Sequence, residues 1–244
     1  MRRVLSGVLV LLLLASCGGG SKGKVTVFAA TSLTGAFTEI GKAFASESHV
    51  KVTFNFGASS ALVQQIQERA AADVFASADA ATMTKLLGDK NVDVPVLFAH
   101  SRLVLVTKPK NPAHITTLAD LARAGVVSLC APEVPCGAYA AQSLSRAGVS
   151  LDKSRVSRAP NAAAALSAVT DGDAVAAIVY VTDAKAAGRR VRTITIPDNQ
   201  NVIANYPIAK TTHADNTRQA RAFVKFVQGR AGQRILRRHG FLPA

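Results

Sequence analysis

Two serines stand where a strand is expected to turn into a helix, and their hydroxyls could bind an anion. Ser32 follows the apolar stretch 25–30, and Ser59 follows the alternating stretch 50–54. Backbone N–H groups in the first turn of a helix have no partner within the helix, and the helix dipole places partial positive charge there. Such a turn stabilises a small oxyanion without a charged side chain. The alternative role is helix capping, because serine is a favoured N-cap residue.

The N-terminal residues predict export. Two arginines precede an apolar run over residues 4–15. This run is shorter than the roughly 20 residues that cross a bilayer, so we interpret residues 1–16 as a cleaved signal peptide. The sequence Leu-Ala-Ser-Cys that ends at Cys17 resembles the bacterial lipobox and predicts lipidation there, an ordinary secretory signal being the alternative. Residues 17–24 then form a glycine-rich tether, and the protein is expected to be extracytoplasmic and lipid-anchored to the cell membrane.

The composition predicts a folded protein that does not bind nucleic acid. Hydrophobic residues make up 49% of the chain, which excludes disorder, and the net charge is +14. The basic residues are scattered and aromatic residues amount to only 5%, so no stacking surface for bases is indicated. The positive charge either attracts anions and an anionic cell surface or is simply solvated. We expect a monomer.

Two further cysteines predict a disulfide. Cys130 and Cys136 lie six residues apart in a chain expected to reach an oxidising compartment. Closing so small a loop stabilises folding by only about 2 kcal/mol, so the bond is expected to hold the shape of the loop. The five histidines show no spacing typical of metal ligands, so no site for a metal cation is predicted.

Apolar periodicity predicts alternating strands and helices, and therefore an α/β fold. The pattern predicts separate strands over 96–98 and 103–107, a helix over 117–122, and two terminal helices over 217–228 and 231–239. Alternation of this kind is typical of parallel sheets covered by helices, with ligands bound at the carboxyl ends of the strands.

Five sequence segments, in order, resemble the molybdate-binding proteins of ABC importers, and the resemblance runs from about residue 25 to residue 242. A closing Gly240-Phe241 fits as well. The segments are residues 27–33 (Val-Phe-Ala-Ala-Thr-Ser-Leu), 57–62 (Gly-Ala-Ser-Ser-Ala-Leu), 72–79 (Ala-Asp-Val-Phe-Ala-Ser-Ala-Asp), 134–137 (Val-Pro-Cys-Gly) and 177–184 (Ala-Ile-Val-Tyr-Val-Thr-Asp-Ala).

The resemblance implies a two-lobed periplasmic-binding-protein-like fold. Each lobe is a mostly parallel sheet flanked by helices, and two chain segments form the hinge. Lobe one is expected to comprise residues 25–100 and 205–244, and lobe two residues 102–203. The protein would close its lobes on the ligand and deliver it to a membrane permease, with no covalent chemistry and no cofactor.

The resemblance also implies a set of oxyanion ligands. These are the hydroxyls and amides of Ser32 and Ser59, the main-chain amides of Cys136 and Ala162, and the hydroxyl of Tyr180. Molybdate has no proton at neutral pH, so a site built only of donors suits it, and tungstate equally. Asp79 and Asp183 are the acidic residues near these segments, and we interpret both as helix caps. Tyr180 could alternatively be an ordinary core residue.

The chain departs from the family pattern at two of these places. Thr31 replaces a small alanine, which adds a hydroxyl near the anion or only a cap. Cys136 stands where the family often has a small residue, and the change is tolerable because the amide is the expected contact.

Three other functions are alternatives to molybdate binding. A receptor for sulfate or thiosulfate is the main alternative, because donors fix charge and geometry but cavity volume fixes size. A serine hydrolase using Ser59 is disfavoured, since residues 57–61 (Gly-Ala-Ser-Ser-Ala) lack the Gly-x-Ser-x-Gly elbow and none of the histidines lies in a triad-like context. A ferric-iron receptor would need clustered tyrosines, whereas Tyr139, Tyr180 and Tyr206 are far apart in sequence.

Overall fold

The computed structural model describes residues 23–244. The predicted signal peptide 1–16, Cys17 and residues 17–22 of the predicted tether lie outside the described residues. The strands are β1 (Lys24–Ala30), β2 (Lys51–Gly57), β3 (Val74–Ala76), β4 (Val96–Thr107), β5 (Val127–Cys130), β6 (Val156–Ala159), β7 (Ala176–Tyr180), β8 (Arg192–Thr195) and β9 (Ile203–Lys210). The α-helices are α1 (Thr34–Ser48), α2 (Ser59–Gln67), α3 (Ala80–Gly88), α4 (Pro135–Arg146), α5 (Ala162–Thr170), α6 (Val181–Ala187), α7 (Thr217–Gln228) and α8 (Arg230–Arg238).

The long strand β4 belongs to two sheet regions. Residues 96–102 pair with β9, and residues 103–107 pair with β7 and β8. The first sheet is therefore β2-β1-β3-β9 with residues 96–102 of β4, and the second sheet is residues 103–107 of β4 with β8, β7, β5 and β6. In each sheet one strand is antiparallel to the others, β9 in the first sheet and β4 in the second. Both sheets are mostly parallel, as predicted.

Helices cover the sheets through their apolar stripes. The stripe of α1 buries Phe37, Ile40 and Phe44. Phe37 and Phe44 meet Phe223 of α7 edge to face, with ring centroids 6.0 and 5.4 Å apart. The opposite face of the first sheet packs against α2 and α3 through a smaller apolar cluster that includes Phe75. This packing holds the strand ends of the first sheet, where both candidate serines lie.

A buried asparagine ties together the two chain segments that pass between the sheets. The Asn201 side chain accepts a hydrogen bond from Leu103 N–H (3.1 Å) and donates one to the Leu103 carbonyl (2.9 Å). It also accepts from Val202 N–H at 2.8 Å. Arg102 and Ile203 are paired residues of β4 and β9 immediately beside this point. The Asn201 side chain therefore joins the two crossing segments through hydrogen bonds to backbone N–H and C=O groups.

Two details differ from the sequence predictions. The predicted strands 96–98 and 103–107 are one continuous strand, β4, because the residues between them pair with β9. The segment predicted as a helix over 117–122 forms a 3-10 helix, Ala119–Arg123, and Asp120 accepts hydrogen bonds from the N–H groups of Thr116 and Thr117 at its start. Within residues 23–244, no helix combines the length and the apolar character needed to cross a membrane.

Candidate functional site

Five helical segments begin around one small cavity between the two sheets. The space open to the centre of a water-sized sphere is about 10 Å³, so the cavity can hold one small molecule or ion. No lining residue among those described carries a charged side chain. The lining residues are Ala30, Thr31, Ser32, Gly57, Ala58, Ser59, Ala78, Val134, Pro135, Cys136, Asn161, Ala162 and Tyr180.

The structure brings all five sequence-predicted ligands into this cavity. Ser32 is the second residue of the 3-10 helix Thr31–Leu33 that leads into α1, and Ser59 is the first residue of α2. Cys136 is the second residue of α4, Ala162 is the first residue of α5, and Tyr180 ends β7 as the N-cap of α6. Each residue therefore lies in the turn where unpaired backbone N–H groups are found.

If Ser32 and Ser59 were N-caps, their side chains would cap the helices that begin there, and the structure shows no such cap bond. The N-cap positions before Ser32 and Ser59 are Ala30 and Ala58, and neither forms a side-chain cap bond. Val134 occupies the same position before α4, again with no cap bond. The interpretation of Ser32 and Ser59 as N-caps is therefore wrong. These helix starts leave N–H groups for something other than a side chain to satisfy.

Helix α5 is the exception, because Asn161 caps it. The Asn161 side chain accepts a hydrogen bond from Ala164 N–H at 2.9 Å. This bond fixes the first turn of α5, whose first residue, Ala162, lines the cavity. A polar residue before an alanine-rich helix is a recognisable cap signal. Asn161 is nevertheless absent from the sequence-predicted site.

The Ser59 hydroxyl is oriented by a backbone bond. Ser59 is buried, and its oxygen accepts a hydrogen bond from Ala78 N–H at 3.0 Å. A serine hydroxyl has one hydrogen to donate, and this bond does not use it. The hydrogen remains available to an acceptor in the cavity.

The Ser32 hydroxyl is bonded to a tyrosine that the sequence analysis did not assign to the site. Ser32 Oγ lies 2.9 Å from the hydroxyl of Tyr206, a fully buried residue of β9. The Tyr206 ring contacts that of Tyr180 at a centroid distance of 5.9 Å. Ser32 and Tyr206 are 174 positions apart in the sequence, so no local sequence pattern indicates their contact.

The Tyr180 hydroxyl is buried without a hydrogen-bond partner among the described residues. Burial also raises the pKa of this hydroxyl well above its ordinary value, so it keeps its proton. A buried hydroxyl without a partner costs free energy comparable to a lost hydrogen bond. In a cavity wall, this donor is available to a bound acceptor.

A disulfide and a glycine shape the loop that carries Cys136. Cys130 and Cys136 are bonded, with Cα atoms 5.7 Å apart, which agrees with the predicted pairing. Gly137 packs so closely that a Cβ atom there would lie 1.9 Å from the Ala131 carbonyl oxygen. The bond joins the end of β5 to the first turn of α4. Both features fix the amide of Cys136 in the cavity wall.

The two nearby aspartates serve helix ends rather than the cavity. Asp79 is the N-cap of α3 and accepts from Thr82 N–H at 2.9 Å. Asp183 lies in the first turn of α6 and accepts from Tyr180 N–H at 3.1 Å. Burial raises the pKa of Asp183 to about 7, so a share of this carboxyl is protonated near neutral pH.

An outer groove of about 550 Å³ adjoins the cavity. Ala58, Val134 and Asn161 line both spaces and form the wall between them. Lys85 and Glu133 also line the groove. Among residues 23–244, no cluster of three histidine, cysteine or acidic side chains could hold a metal ion.

Several known proteins resemble this chain in sequence. Residues 25–242 match the family model described as bacterial extracellular solute-binding protein. The chain is 38% identical over 220 residues to the molybdate-binding protein ModA of Mycobacterium bovis. The aligned region covers 89% of this chain and 84% of that protein.

Two solved structures share the fold. The periplasmic molybdate-binding protein of Azotobacter vinelandii superposes with a TM-score of 0.82 at 21% identity, covering 90% of this chain and 99% of that one. The sulfate-binding protein SubI of Mycobacterium tuberculosis superposes with a TM-score of 0.81 at 20% identity, covering 91% and 87%. At these identities the likeness establishes the two-lobed α/β architecture.

Proposed function

Because the chain belongs to the bacterial extracellular solute-binding proteins, we propose that it captures molybdate, and tungstate alike, between its two lobes for delivery to an ABC permease. The observation that carries this proposal is the cavity wall, which offers hydrogen-bond donors from both sheets and no charged side chain. The relative with 38% identity is a molybdate-binding protein, which supports the same ligand.

The donors suit a dianion that only accepts hydrogen bonds. We propose that Ser32 and Ser59 bind it through hydroxyls and amides, Cys136 and Ala162 through amides, and Tyr180 through its unpartnered hydroxyl. Hydrogen bonds to a charged group are stronger than neutral ones, and the helix starts add positive potential. Neutral donors also avoid the desolvation cost of burying lysine or arginine.

Binding and lobe closure are coupled in this proposal. We place lobe one at residues 25–100 and 205–244 and lobe two at residues 102–203; the partners of β4 change close to this boundary, between Arg102 and Leu103. Ser32 and Ser59 then belong to lobe one, and the other three ligands to lobe two. A ligand that contacts both lobes favours the closed state, which a permease can recognise. We further propose that Cys17 carries a lipid that keeps the protein at the membrane.

Calorimetric titration with molybdate tests the function. We expect binding heat and a smaller radius of gyration by X-ray scattering when molybdate is present. Tyr180→Phe should weaken binding about tenfold, because it removes one hydrogen bond to a charged ligand. The unliganded variant should be no less stable than the wild type, since the lost hydroxyl had no partner. Absence of heat with the wild-type protein would refute the proposal.

Sulfate is the competing ligand, because the sulfate-binding neighbour has nearly the same TM-score. Sulfate and molybdate both accept hydrogen bonds only, and they differ in size. A competition titration at equal concentrations separates them. Molybdate should remain bound; displacement by equimolar sulfate would reassign the protein to the smaller anion.

A further inference from the structure

The two serines of the cavity are each hydrogen-bonded to another part of the protein, but to partners of different kinds. Ser59 Oγ accepts from the backbone N–H of Ala78, which is always a donor. Ser32 Oγ faces the Tyr206 hydroxyl at 2.9 Å, and either group could donate. The direction of the Ser59 bond is therefore fixed, whereas that of the Ser32 bond depends on its surroundings.

The environment of Tyr206 leaves its hydroxyl few choices. The residue is fully buried, and rings of Tyr180, Phe98 and Phe241 surround it at centroid distances of 5.9, 6.4 and 5.1 Å. Ser32 is the hydrogen-bond partner that the structure gives it among the described residues. Burial raises the pKa of the Tyr206 hydroxyl well above its ordinary value, so the group keeps its proton.

Only one of the two bond directions suits an oxyanion. If Ser32 donated to Tyr206, its lone pairs would face the anion, and the Tyr206 hydrogen would have as its remaining neighbour the Tyr180 hydroxyl, which forms no hydrogen bond among the described residues. If Tyr206 donates to Ser32, the Ser32 hydrogen is free to point into the cavity, and both groups are satisfied. Donation into the Ser32 oxygen also polarises its O–H bond, which strengthens the next hydrogen bond in the chain.

We propose that Tyr206 is a positioning residue that donates to Ser32 Oγ and thereby turns the Ser32 hydroxyl toward the bound oxyanion. This inference rests on the proposed oxyanion-binding function. Tyr206 lies outside the set of residues that line the cavity, so it acts through Ser32 rather than on the ligand. Tyr206 stands on β9, which pairs with β4 beside the crossing segments. In this proposal the orientation of the Ser32 hydroxyl therefore depends on the position of β9.

A double-mutant cycle with molybdate as the probe tests this role. Affinities are measured calorimetrically for the wild type, Tyr206→Phe, Ser32→Ala and the double variant. Tyr206→Phe retains the ring contacts and should weaken binding about tenfold, the effect of one hydrogen bond. In the Ser32→Ala background the same substitution should change affinity less than twofold, because its only route to the ligand is gone. Equal effects in both backgrounds, or none in the wild type, would overturn the proposal.

Tyr139→Phe provides the matched control. Tyr139 lies on α4, outside the residues that line the cavity, and the substitution removes the same phenol oxygen. Its affinity should stay within twofold of the wild type. A wild-type protein that binds no molybdate would instead remove the proposed function on which the inference rests.

A second variant covers the case in which Tyr206→Phe does not fold. Incorporation of 3-fluorotyrosine at position 206 keeps the hydroxyl and makes it a stronger donor. Molybdate affinity should then rise about twofold through the cooperative bond. Unchanged or weaker binding in a folded protein would contradict donation from Tyr206 to Ser32.

Discussion

The two sides of the cavity present donors in different ways. On the side of the first sheet, Ser32 and Ser59 present hydroxyls, and each is held by a hydrogen bond from elsewhere in the fold. On the side of the second sheet, Cys136 and Ala162 are expected to present backbone amides, and a disulfide, a close-packed glycine and the Asn161 cap hold that backbone. Tyr180 adds one hydroxyl on this side. The first side therefore relies on side-chain hydroxyls, and the second mainly on backbone shape.

This difference determines how each side can fail. A hydroxyl is lost by a single substitution while the backbone stays in place. An amide persists in every non-proline residue, so it is lost only when the backbone moves. Substitutions that remove a hydroxyl should therefore change affinity more than stability, and substitutions that shift the backbone of the second side should change both.

The strongest test of the backbone-built side is Gly137→Ala. The new Cβ would lie 1.9 Å from the Ala131 carbonyl oxygen and 2.8 Å from that of Cys130, so the turn into α4 must shift. We expect a loss of about 3 kcal/mol or more in the free energy of unfolding, as for other strongly overpacked sites, together with loss of molybdate binding. Denaturant unfolding and calorimetry measure the two effects.

Gly88→Ala is the control for this substitution. Gly88 ends α3, and a Cβ there meets no atom within 4 Å. Its stability and affinity should match the wild type. If Gly137→Ala bound molybdate normally, the second side would not depend on backbone shape.

Ser59→Ala tests the hydroxyl-built side. The variant loses a donor to the anion and leaves Ala78 N–H without its acceptor. Affinity should fall about fiftyfold, within the range for a hydrogen bond to a charged group, while the free energy of unfolding falls by only about 1 kcal/mol. Calorimetry and thermal unfolding supply the two numbers.

The neighbouring Ser60→Ala is its control. Ser60 lines the outer groove rather than the cavity, so its affinity should remain within twofold of the wild type. Equal losses of affinity and stability in Ser59→Ala would show that the hydroxyl serves the fold alone.

The smallest effect is expected from removing the disulfide. Replacing Cys130 and Cys136 together by alanine should lower the free energy of unfolding by about 2 kcal/mol, the value for a short loop. Affinity should weaken by about threefold, because the Cys136 amide remains but is less firmly held. Unchanged affinity would mean that Gly137 and the helix start suffice to place this amide.

Local pattern was enough to predict most of the fold. The α/β alternation, the mostly parallel sheets and the Cys130–Cys136 bond agree with the structure. The interruption predicted within β4 was wrong because residues 99–102 gain their extended form from pairing with β9, more than a hundred residues later in the chain. A short sequence window does not include the partner strand, so local strand propensity does not reveal this pairing.

The site shows the same limit. Ser32 and Ser59 could be located from a local strand-to-helix pattern, whereas Cys136, Ala162 and Tyr180 came from the resemblance to the molybdate-binding family. All five line one cavity. Tyr206 could not be located from a local pattern, because its relation to Ser32 exists only after β9 has joined the first sheet. The serines were misjudged as possible caps because a shift of one residue separates an N-cap from the first helical position, and sequence rarely fixes that boundary.

The strand order also bears on how the protein acquires its fold after export. The strands β5, β6, β7 and β8 of the second sheet follow β4 consecutively, so a chain that emerges N-terminus first can complete this sheet early. The first sheet needs β9, which pairs with both β3 and β4 and comes near the end of the chain. Non-local pairing of this kind is slow to form. We therefore expect the serine side of the cavity to be completed last, so that binding would require β9 to be in place.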